Sequence, residues 1–318
     1  MVHRLATEGS ARVPSAAQTS SFRALTPDAN EPIGIFDSGM GGLTVARCMT
    51  TMLPDESIYY VGDTKRCPYG VREPAEIREF VRQIGLWFSR RRVKLIVIAC
   101  NTATAAALPL AQRTFDVPVV GVIVPGARAA IQASVSRRVG VIATPLTIAS
   151  DAYARAIHRM DAGVQVHSLA TPRFVPLVEE ELATGLHLHE DWRRHRDVFM
   201  NPQARRIVSE DLAPLAGLGI DTLVLGCTHF PLLTPAIREA LGDHVSIVSS
   251  AEETTREVAE TLRRRGQLAR PGSLVRHRFA TTGDDITTFA AAGQFIFGRP
   301  LASIEHIDLE DLEALANA

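Results

Sequence analysis

Runs of apolar residues alternate with amphipathic stretches along this chain, and the alternation predicts a repeating strand-helix order. Ordered structure is expected to begin with a short apolar strand over residues 32–36, followed by helical periodicity over 43–52 and a second strand over 57–61. A helix over 74–91 and an apolar strand over 95–99 come next, followed by an alanine-rich helix after Cys100 and one more strand over 117–124. Strands that alternate with helices at this spacing are typical of a parallel sheet covered by helices on both faces.

The same order restarts in the second half of the chain. The run 139–144 parallels the run 33–38, and each half later contains a strand that ends in a cysteine. We therefore predict an α/β fold with two similar lobes, each a mostly parallel sheet flanked by helices. The lobes are expected to be related by a pseudo-twofold axis, with the active site between them. Residues 32–125 plus 248–318 are expected to form lobe 1, and residues 126–247 lobe 2.

Two segments fall outside the repeat. Residues 1–31 are rich in Ala, Ser, Thr and Arg and have no apolar segment of the kind that signal peptides contain, so we expect a disordered N-terminal extension. Residues 172–202 include the run Glu179-Glu180-Glu181 and several His and Arg residues. We interpret this second segment as a helical insertion whose charges are solvated and which contributes no residue to a site.

Composition excludes several classes of function. The formal net charge of the 318 residues is -1, so we expect neither nucleic acid nor a membrane surface as a partner. The apolar stretches are shorter than the ~18 residues of a membrane span. The four cysteines lack the spacing of a disulfide framework and indicate reduced thiols in the cytoplasm. Lys65 and Lys94 are the only lysines, and neither is placed as the Schiff-base lysine of a pyridoxal-phosphate enzyme would be.

Two cysteines occupy matching positions in the two halves. Cys100 follows the apolar run 95–99, and Cys227 follows the apolar run 223–226. Such runs are typical of buried parallel strands, and the carboxyl ends of these strands are where an open α/β sheet presents chemistry. A helix N-terminus beside each thiol is expected to lower its pKa. Either cysteine alone could be an inert core residue. The pair favours two thiols on opposite sides of one site, which suits moving a proton from one face of a carbon to the other.

Polar residues after the first strand are a further candidate site. Asp37 and Ser38 precede the glycine-rich run 39–42, whose backbone amides could approach a ligand closely. Asp37 could take an ammonium group or support a nearby thiol, but Asp and Ser are also preferred helix N-caps. The run matches neither a Walker A motif nor G-x-G-x-x-G, which argues against phosphate binding.

Short polar segments elsewhere supply candidate carboxylate ligands. Tyr69 and Gly70 form a turn by composition, and their amides could hold a carboxylate. His229 could assist Cys227 as a relay. A Cys-x-His pair is also half of a zinc site, but no matching second pair is apparent, and we expect no metal. The remaining candidates directly follow the two cysteines: Asn101, Thr102, Thr228 and His229.

Taken together, these segments resemble the cofactor-independent glutamate racemases of the aspartate/glutamate racemase superfamily. The resemblance spans roughly residues 33–307. It rests on five motifs: IGIFDSG with GGLTV (33–45), GDT with PYG (62–70), ACNTA (99–103), GCTHFPLL (226–233) and TGD (282–284).

The resemblance implies roles for individual residues. Cys100 and Cys227 would be the two acid/base thiols, supported by Asp37 and His229. The substrate contacts would come from Asp37, Ser38, Tyr69, Gly70, Asn101, Thr102, Thr144, Thr147, Thr228 and His229. The resemblance also implies catalysis without a cofactor, glutamate as the small-molecule substrate, a homodimer, and a supply of D-glutamate for peptidoglycan synthesis in the cytoplasm.

Three alternatives remain open at this point. An aspartate racemase or a hydantoin-type racemase would keep the mechanism and change only the length of the pocket. A ligand-binding protein on the two-lobed scaffold would not need paired thiols. A regulatory protein-binding role would depend on the N-terminal extension.

Overall fold

The computed structural model describes residues 28–184 and 199–317, so most of the predicted extension and part of the predicted insertion lie outside it. The strands in the described residues are β1 (Ile33–Asp37), β2 (Ile58–Gly62), β3 (Leu95–Ile98), β4 (Val119–Gly121), β5 (Arg138–Ala143), β6 (Gln165–Ala170), β7 (Thr222–Gly226), β8 (Ser246–Ser249), β9 (Arg278–Thr281) and β10 (Ile304–His306).

Helices connect these strands throughout the described residues. They are α1 (Leu43–Met52), α2 (Pro74–Arg90), α3 (Asn101–Thr114), α4 (Ile123–Ala133), α5 (Pro145–Ala149), α6 (Ala152–Met160), α7 (Phe174–Thr184), α8 (Pro202–Leu212), α9 (Thr234–Leu241), α10 (Ala251–Arg264), α11 (Ile286–Phe297) and α12 (Leu309–Asn317). None of the helices in this part of the chain is both long and apolar enough to cross a membrane.

The strands form two parallel sheets, which confirms the predicted α/β class. The first sheet has the order β10-β9-β2-β1-β3-β4, and the second has the order β6-β5-β7-β8. Every pair of neighbouring strands runs parallel. Strands β1, β2, β3 and β7 are buried along their whole length, in agreement with their mostly apolar sequences. We call each sheet with its helices a lobe.

The two lobes repeat one local arrangement. In the first lobe, β1 pairs with the cysteine strand β3, and in the second lobe β5 pairs with the cysteine strand β7. The carboxyl ends of all four strands carry the polar residues that the sequence singled out. Because neighbouring strands are parallel, those residues meet at one edge of each sheet.

One predicted strand extends too far along the chain, and one predicted lobe boundary falls within a strand. The sequence favours a strand over 117–124, but β4 ends at Gly121 and the buried helix α4 begins at Ile123. Periodicity cannot separate a buried helix from a buried strand in so short an apolar run. The proposed end of lobe 2 at residue 247 lies inside β8, which pairs with β7. The exact division of the chain into lobes stays a prediction.

Candidate active site

The two matched cysteines are buried at the carboxyl ends of their strands. Cys100 is the N-cap of α3, where the Ala103 amide donates to its Sγ at 3.5 Å. The Cys100 thiol in turn donates to Ser38 Oγ at 3.6 Å. Cys227 Sγ lies 3.7 Å from His229 Nδ1. Each thiol therefore has a polar partner of its own.

Burial controls the protonation of Cys100. Loss of water and, to a smaller extent, the nearby Asp37 carboxylate raise the pKa of its thiol to about 12, although hydrogen bonds from the Ala103 amide and to Ser38 act in the opposite direction. The expectation that the helix N-terminus would lower this pKa is wrong for Cys100, because desolvation outweighs the hydrogen bonds. A charge on Cys227 also raises the pKa of Cys100, so the two thiols lie within electrostatic reach of each other.

A buried chain of hydrogen bonds surrounds the second cysteine. Thr228 Oγ1 donates to Asp37 Oδ1 at 3.2 Å, and the Gly39 amide donates to Asp37 Oδ2 at 3.1 Å. His229 Nε2 lies 2.5 Å from Glu179 Oε1. Asp37 belongs to the first lobe and Thr228 to the second, so this chain joins the two lobes at the site.

The charges along this chain compensate one another. Burial alone would lower the pKa of His229, but hydrogen bonds to Cys227 and Glu179 outweigh it, and the pKa of His229 rises well above its ordinary value. Burial raises the pKa of Asp37, while the positive charge of His229 lowers it. The arrangement therefore places an imidazolium between a carboxylate and the Cys227 sulfur.

Glu179 is a site residue that the sequence interpretation missed. The charge run at 179–181 was expected to be solvated, yet the Glu179 carboxylate contacts His229 and its side chain is only 31% exposed. On α7, Glu179 follows the buried Val175 by four residues and precedes the buried Leu182 by three. Positions with that spacing lie on one face of a helix, a signal that separates Glu179 from the exposed Glu180.

The glycine-rich loop after β1 allows this close approach of the lobes. A Cβ at Gly41 would lie 2.6 Å from both His229 Nδ1 and Thr228 Oγ1. A side chain is therefore sterically excluded at Gly41 while Thr228 and His229 keep their positions. The loop therefore packs against Thr228 and His229 of the second lobe, and we do not assign it a role in phosphate binding.

Three threonine hydroxyls form a triangle on another side of the site. Thr102 Oγ1 lies 2.9 Å from Thr144 Oγ1 and 3.2 Å from Thr147 Oγ1, and the latter two are 3.0 Å apart. A Cβ at Gly70 would lie 2.9 Å from Thr144 Cβ, so the turn at Gly70 packs directly on this triangle. Tyr69 is buried there, and its hydroxyl donates to Asp63.

Asn101 is the last of the predicted site residues, and the sequence interpretation did not identify its hydrogen-bond partner, Tyr153. Its Oδ1 accepts a hydrogen bond of 2.6 Å from the hydroxyl of Tyr153 on α6. The structure thus gathers the predicted residues into polar clusters that span both lobes, with Glu179 and Tyr153 as additional members. Within residues 28–184 and 199–317, no group of three or more His, Cys, Asp or Glu side chains is arranged to hold a metal ion.

The Asp/Glu/hydantoin racemase family profile matches residues 41–258, which is most of this two-lobed fold. The chain belongs to that family. A glutamate racemase of Shouchella clausii is 48% identical over 281 residues, covering 88% of this chain and 95% of the relative. As a member of the racemase family, the chain is an isomerase.

Solved structures of racemases agree with this assignment. A glutamate racemase isoform of Bacillus anthracis is 40% identical, with a TM-score of 0.79, and the match covers 88% of this chain and 98% of that one. A glutamate racemase of Francisella tularensis, solved in complex with D-glutamate, is 31% identical, with a TM-score of 0.77 over 89% of this chain and 99% of that one.

Proposed function

We propose that this racemase interconverts L- and D-glutamate by a two-base 1,1-proton transfer, with Cys100 and Cys227 as the two bases. The observation that carries the proposal is the matched pair of buried thiols at the ends of β3 and β7, each with its own polar partner. The similarity to glutamate racemases, one of them solved with D-glutamate, supports glutamate as the substrate.

Each turnover moves one proton off the substrate and one proton on. The thiolate of one cysteine takes the proton from Cα, and the electron pair of the broken C–H bond stays on the substrate as a carbanion. The other cysteine, as a thiol on the opposite face, gives its proton to Cα and keeps the electron pair of its S–H bond. The two cysteines exchange protonation states, and the reaction needs no oxidant or reductant.

The local charges suit one thiol and one thiolate. The raised pKa of Cys100 keeps its proton in place at neutral pH. The His229 imidazolium, 3.7 Å from Cys227 Sγ, is positioned to form an ion pair with a thiolate at Cys227. When the proton transfer runs in the opposite direction, Ser38 and the Ala103 amide offer hydrogen bonds to a thiolate at Cys100.

The remaining site residues suit the ionised groups of glutamate. Asp37 supplies a carboxylate for the ammonium group, and the hydroxyl and amide donors suit the two carboxylates. Donors held at the α-carboxylate would stabilise the negative charge that develops at Cα. A general acid or base typically contributes ~10²–10⁴-fold, so exclusion of water by the two lobes has to supply a further part of the acceleration. The proposed ligands are Asp37, Ser38, Tyr69, Gly70, Asn101, Thr102, Thr144, Thr147, Thr228 and His229.

The first experiment follows racemisation without an added cofactor. Purified protein is incubated with L-glutamate, and circular dichroism records the loss of optical activity. L-aspartate and a hydantoin serve as the alternative substrates. Faster racemisation of either one than of L-glutamate would contradict the proposed substrate. Deuterium from solvent should appear at Cα, which a ligand-binding protein or a purely regulatory protein would not produce.

Cysteine variants test the two bases. Cys100→Ala and Cys227→Ala should each abolish racemisation, because each removes one of the two proton carriers. Cys48→Ala is the matched control, since Cys48 lies on α1 outside the site and its loss should leave the rate unchanged. Full activity in either of the first two variants would refute the two-base mechanism.

We further infer that the enzyme supplies D-glutamate for peptidoglycan synthesis, works in the cytoplasm and forms a homodimer. The resemblance to the racemase family supports these three statements. Rescue of a D-glutamate auxotroph tests the first, cell fractionation the second and sedimentation equilibrium the third.

A further inference from the structure

Tyr153 makes a buried hydrogen bond from one lobe to the other. It lies on α6, which packs on α4 and β6 of the second lobe, and only 2% of it is exposed. Its hydroxyl donates to Oδ1 of Asn101, the first residue of α3 in the first lobe, at 2.6 Å. Asn101 itself is 3% exposed. The contact therefore reaches across the lobes to the residue next to Cys100.

The Tyr153 ring packs closely against the backbone of two glycines, Gly126 and Gly226. A Cβ at Gly126 would lie 3.0 Å from the Tyr153 hydroxyl oxygen, and a Cβ at Gly226 would lie 3.1 Å from Tyr153 Cε2. Gly226 directly precedes Cys227, so the ring packs beside the backbone that carries the second thiol. Because close packing leaves the ring little freedom to shift, the hydroxyl is held at a fixed position.

The hydrogen bond that this hydroxyl donates to Oδ1 holds the asparagine amide in one of its two orientations. The two ends of the amide have nearly the same shape, but one end is an acceptor oxygen and the other carries two N–H donors. With Oδ1 occupied by the phenol, both N–H groups are available to another acceptor. A carboxylate can only accept hydrogen bonds at neutral pH, so it needs the NH₂ end and is repelled by the oxygen end.

We propose that Tyr153 is a positioning residue of this racemase, whose hydroxyl keeps the NH₂ group of Asn101 turned towards a substrate carboxylate when the lobes are closed. The inference rests on the proposed function, because it needs a carboxylate substrate at Asn101. Burial, reinforced by the neighbouring Cys227, raises the pKa of the Tyr153 phenol. The hydroxyl therefore stays protonated and able to donate throughout the neutral range.

A double-mutant cycle tests this inference with glutamate as the substrate. The four proteins are the wild type, Tyr153→Phe, Asn101→Ala and the double variant, each checked by circular dichroism to be fully folded at the assay temperature. Tyr153→Phe removes only the hydroxyl and should lower kcat/KM between about 3- and 10-fold, the range that the loss of one neutral hydrogen bond implies. The loss should appear mainly as a raised KM, because the orientation of the amide affects binding of the carboxylate before and during proton transfer.

The cycle separates positioning from a general structural role. If Tyr153 acts through Asn101, the kcat/KM of the double variant should stay within about twofold of the kcat/KM of Asn101→Ala alone. The inference would be overturned if Tyr153→Phe lowered kcat/KM by the same factor in the wild type and in the Asn101→Ala variant. Wild-type kinetics in the Tyr153→Phe variant would overturn it as well. Tyr59→Phe is the control: its hydroxyl bonds to Glu305 away from the site, and kcat/KM should not change. Wild-type protein that fails to racemise glutamate would instead refute the proposed function.

Discussion

Replacing Glu179 by glutamine removes a negative charge that lies 2.5 Å from His229 Nε2 and changes little in the shape of the side chain. A hydrogen bond between charged groups contributes about 1.5–3 kcal/mol. The Glu179 side chain is 31% exposed, so solvent screening favours the lower end of this range. If the imidazolium holds Cys227 as a thiolate during catalysis, about 1.5 kcal/mol of transition-state stabilisation is lost. That loss corresponds to a decrease of about tenfold in kcat/KM.

The Glu179→Gln variant should also change how kcat/KM depends on pH. Glu179 is one of the groups that raise the pKa of His229, so its neutralisation lowers that pKa. The variant should lose its imidazolium at a lower pH than the wild type, and the alkaline limb of its kcat/KM profile should shift to lower pH. The raised pKa of His229 also contributes to the free energy of unfolding. That contribution is fully present below the pKa of His229 in the unfolded chain. It is lost as pH rises through the pKa of the folded state.

The assay for this prediction is circular dichroism with L-glutamate and with D-glutamate across the pH range. Glu180→Gln is the matched control, because it removes the same charge from the neighbouring, exposed position of α7 and should leave the profile unchanged. An unshifted alkaline limb in Glu179→Gln would refute the assignment of His229 as the cationic partner of Cys227.

Two further variants test the glycine-rich loop that packs between the lobes and the buried ion pair between Lys94 and Glu56. Gly41→Ala adds a Cβ 2.6 Å from His229 Nδ1 and Thr228 Oγ1 and should lower kcat at least about fivefold, because relieving such overpacking costs about 1–3 kcal/mol; a wild-type kcat would contradict this role of the loop. Lys94→Met leaves Glu56 as an uncompensated buried charge and should lower the free energy of unfolding in urea by about 3–5 kcal/mol. Its kcat should not change, since Lys94 precedes β3 while Cys100 follows it; an unchanged unfolding midpoint would show that the pair contributes no stability.

The parts of the fold and site that could be predicted are those encoded in short segments. A buried parallel strand has an unbroken apolar sequence, and its carboxyl end is known once the strand is placed, so Cys100 and Cys227 could be assigned to the ends of β3 and β7. Asp37 was placed at the end of β1 by the same logic. The parallel pairing of β1 with β3 and of β5 with β7 brings these ends together.

The parts that could not be predicted depend on contacts between distant segments. Glu179 meets His229 across 50 positions of sequence, and Tyr153 meets Asn101 across 52. The helical spacing of Glu179 from Val175 and Leu182 separates it from the exposed Glu180, but no local pattern identifies His229 as the partner of Glu179 or Asn101 as the partner of Tyr153. The raised pKa of Cys100 depends on how completely the second lobe covers it, and strand and helix patterns carry no information on that burial.

The contacts that close the two lobes are made by residues proposed to bind substrate. Thr228 donates to Asp37, Tyr153 donates to Asn101, and the hydroxyl of Thr102 meets that of Thr144. These polar groups satisfy one another, so closure of the lobes does not leave them buried and unpaired. In the proposed function, a dicarboxylate that enters between the lobes would replace the neutral contact between Thr102 and Thr144 by hydrogen bonds to charged oxygens, which are about twice as strong. In the proposed function, substrate binding and exclusion of water would therefore draw on the same hydroxyl donors.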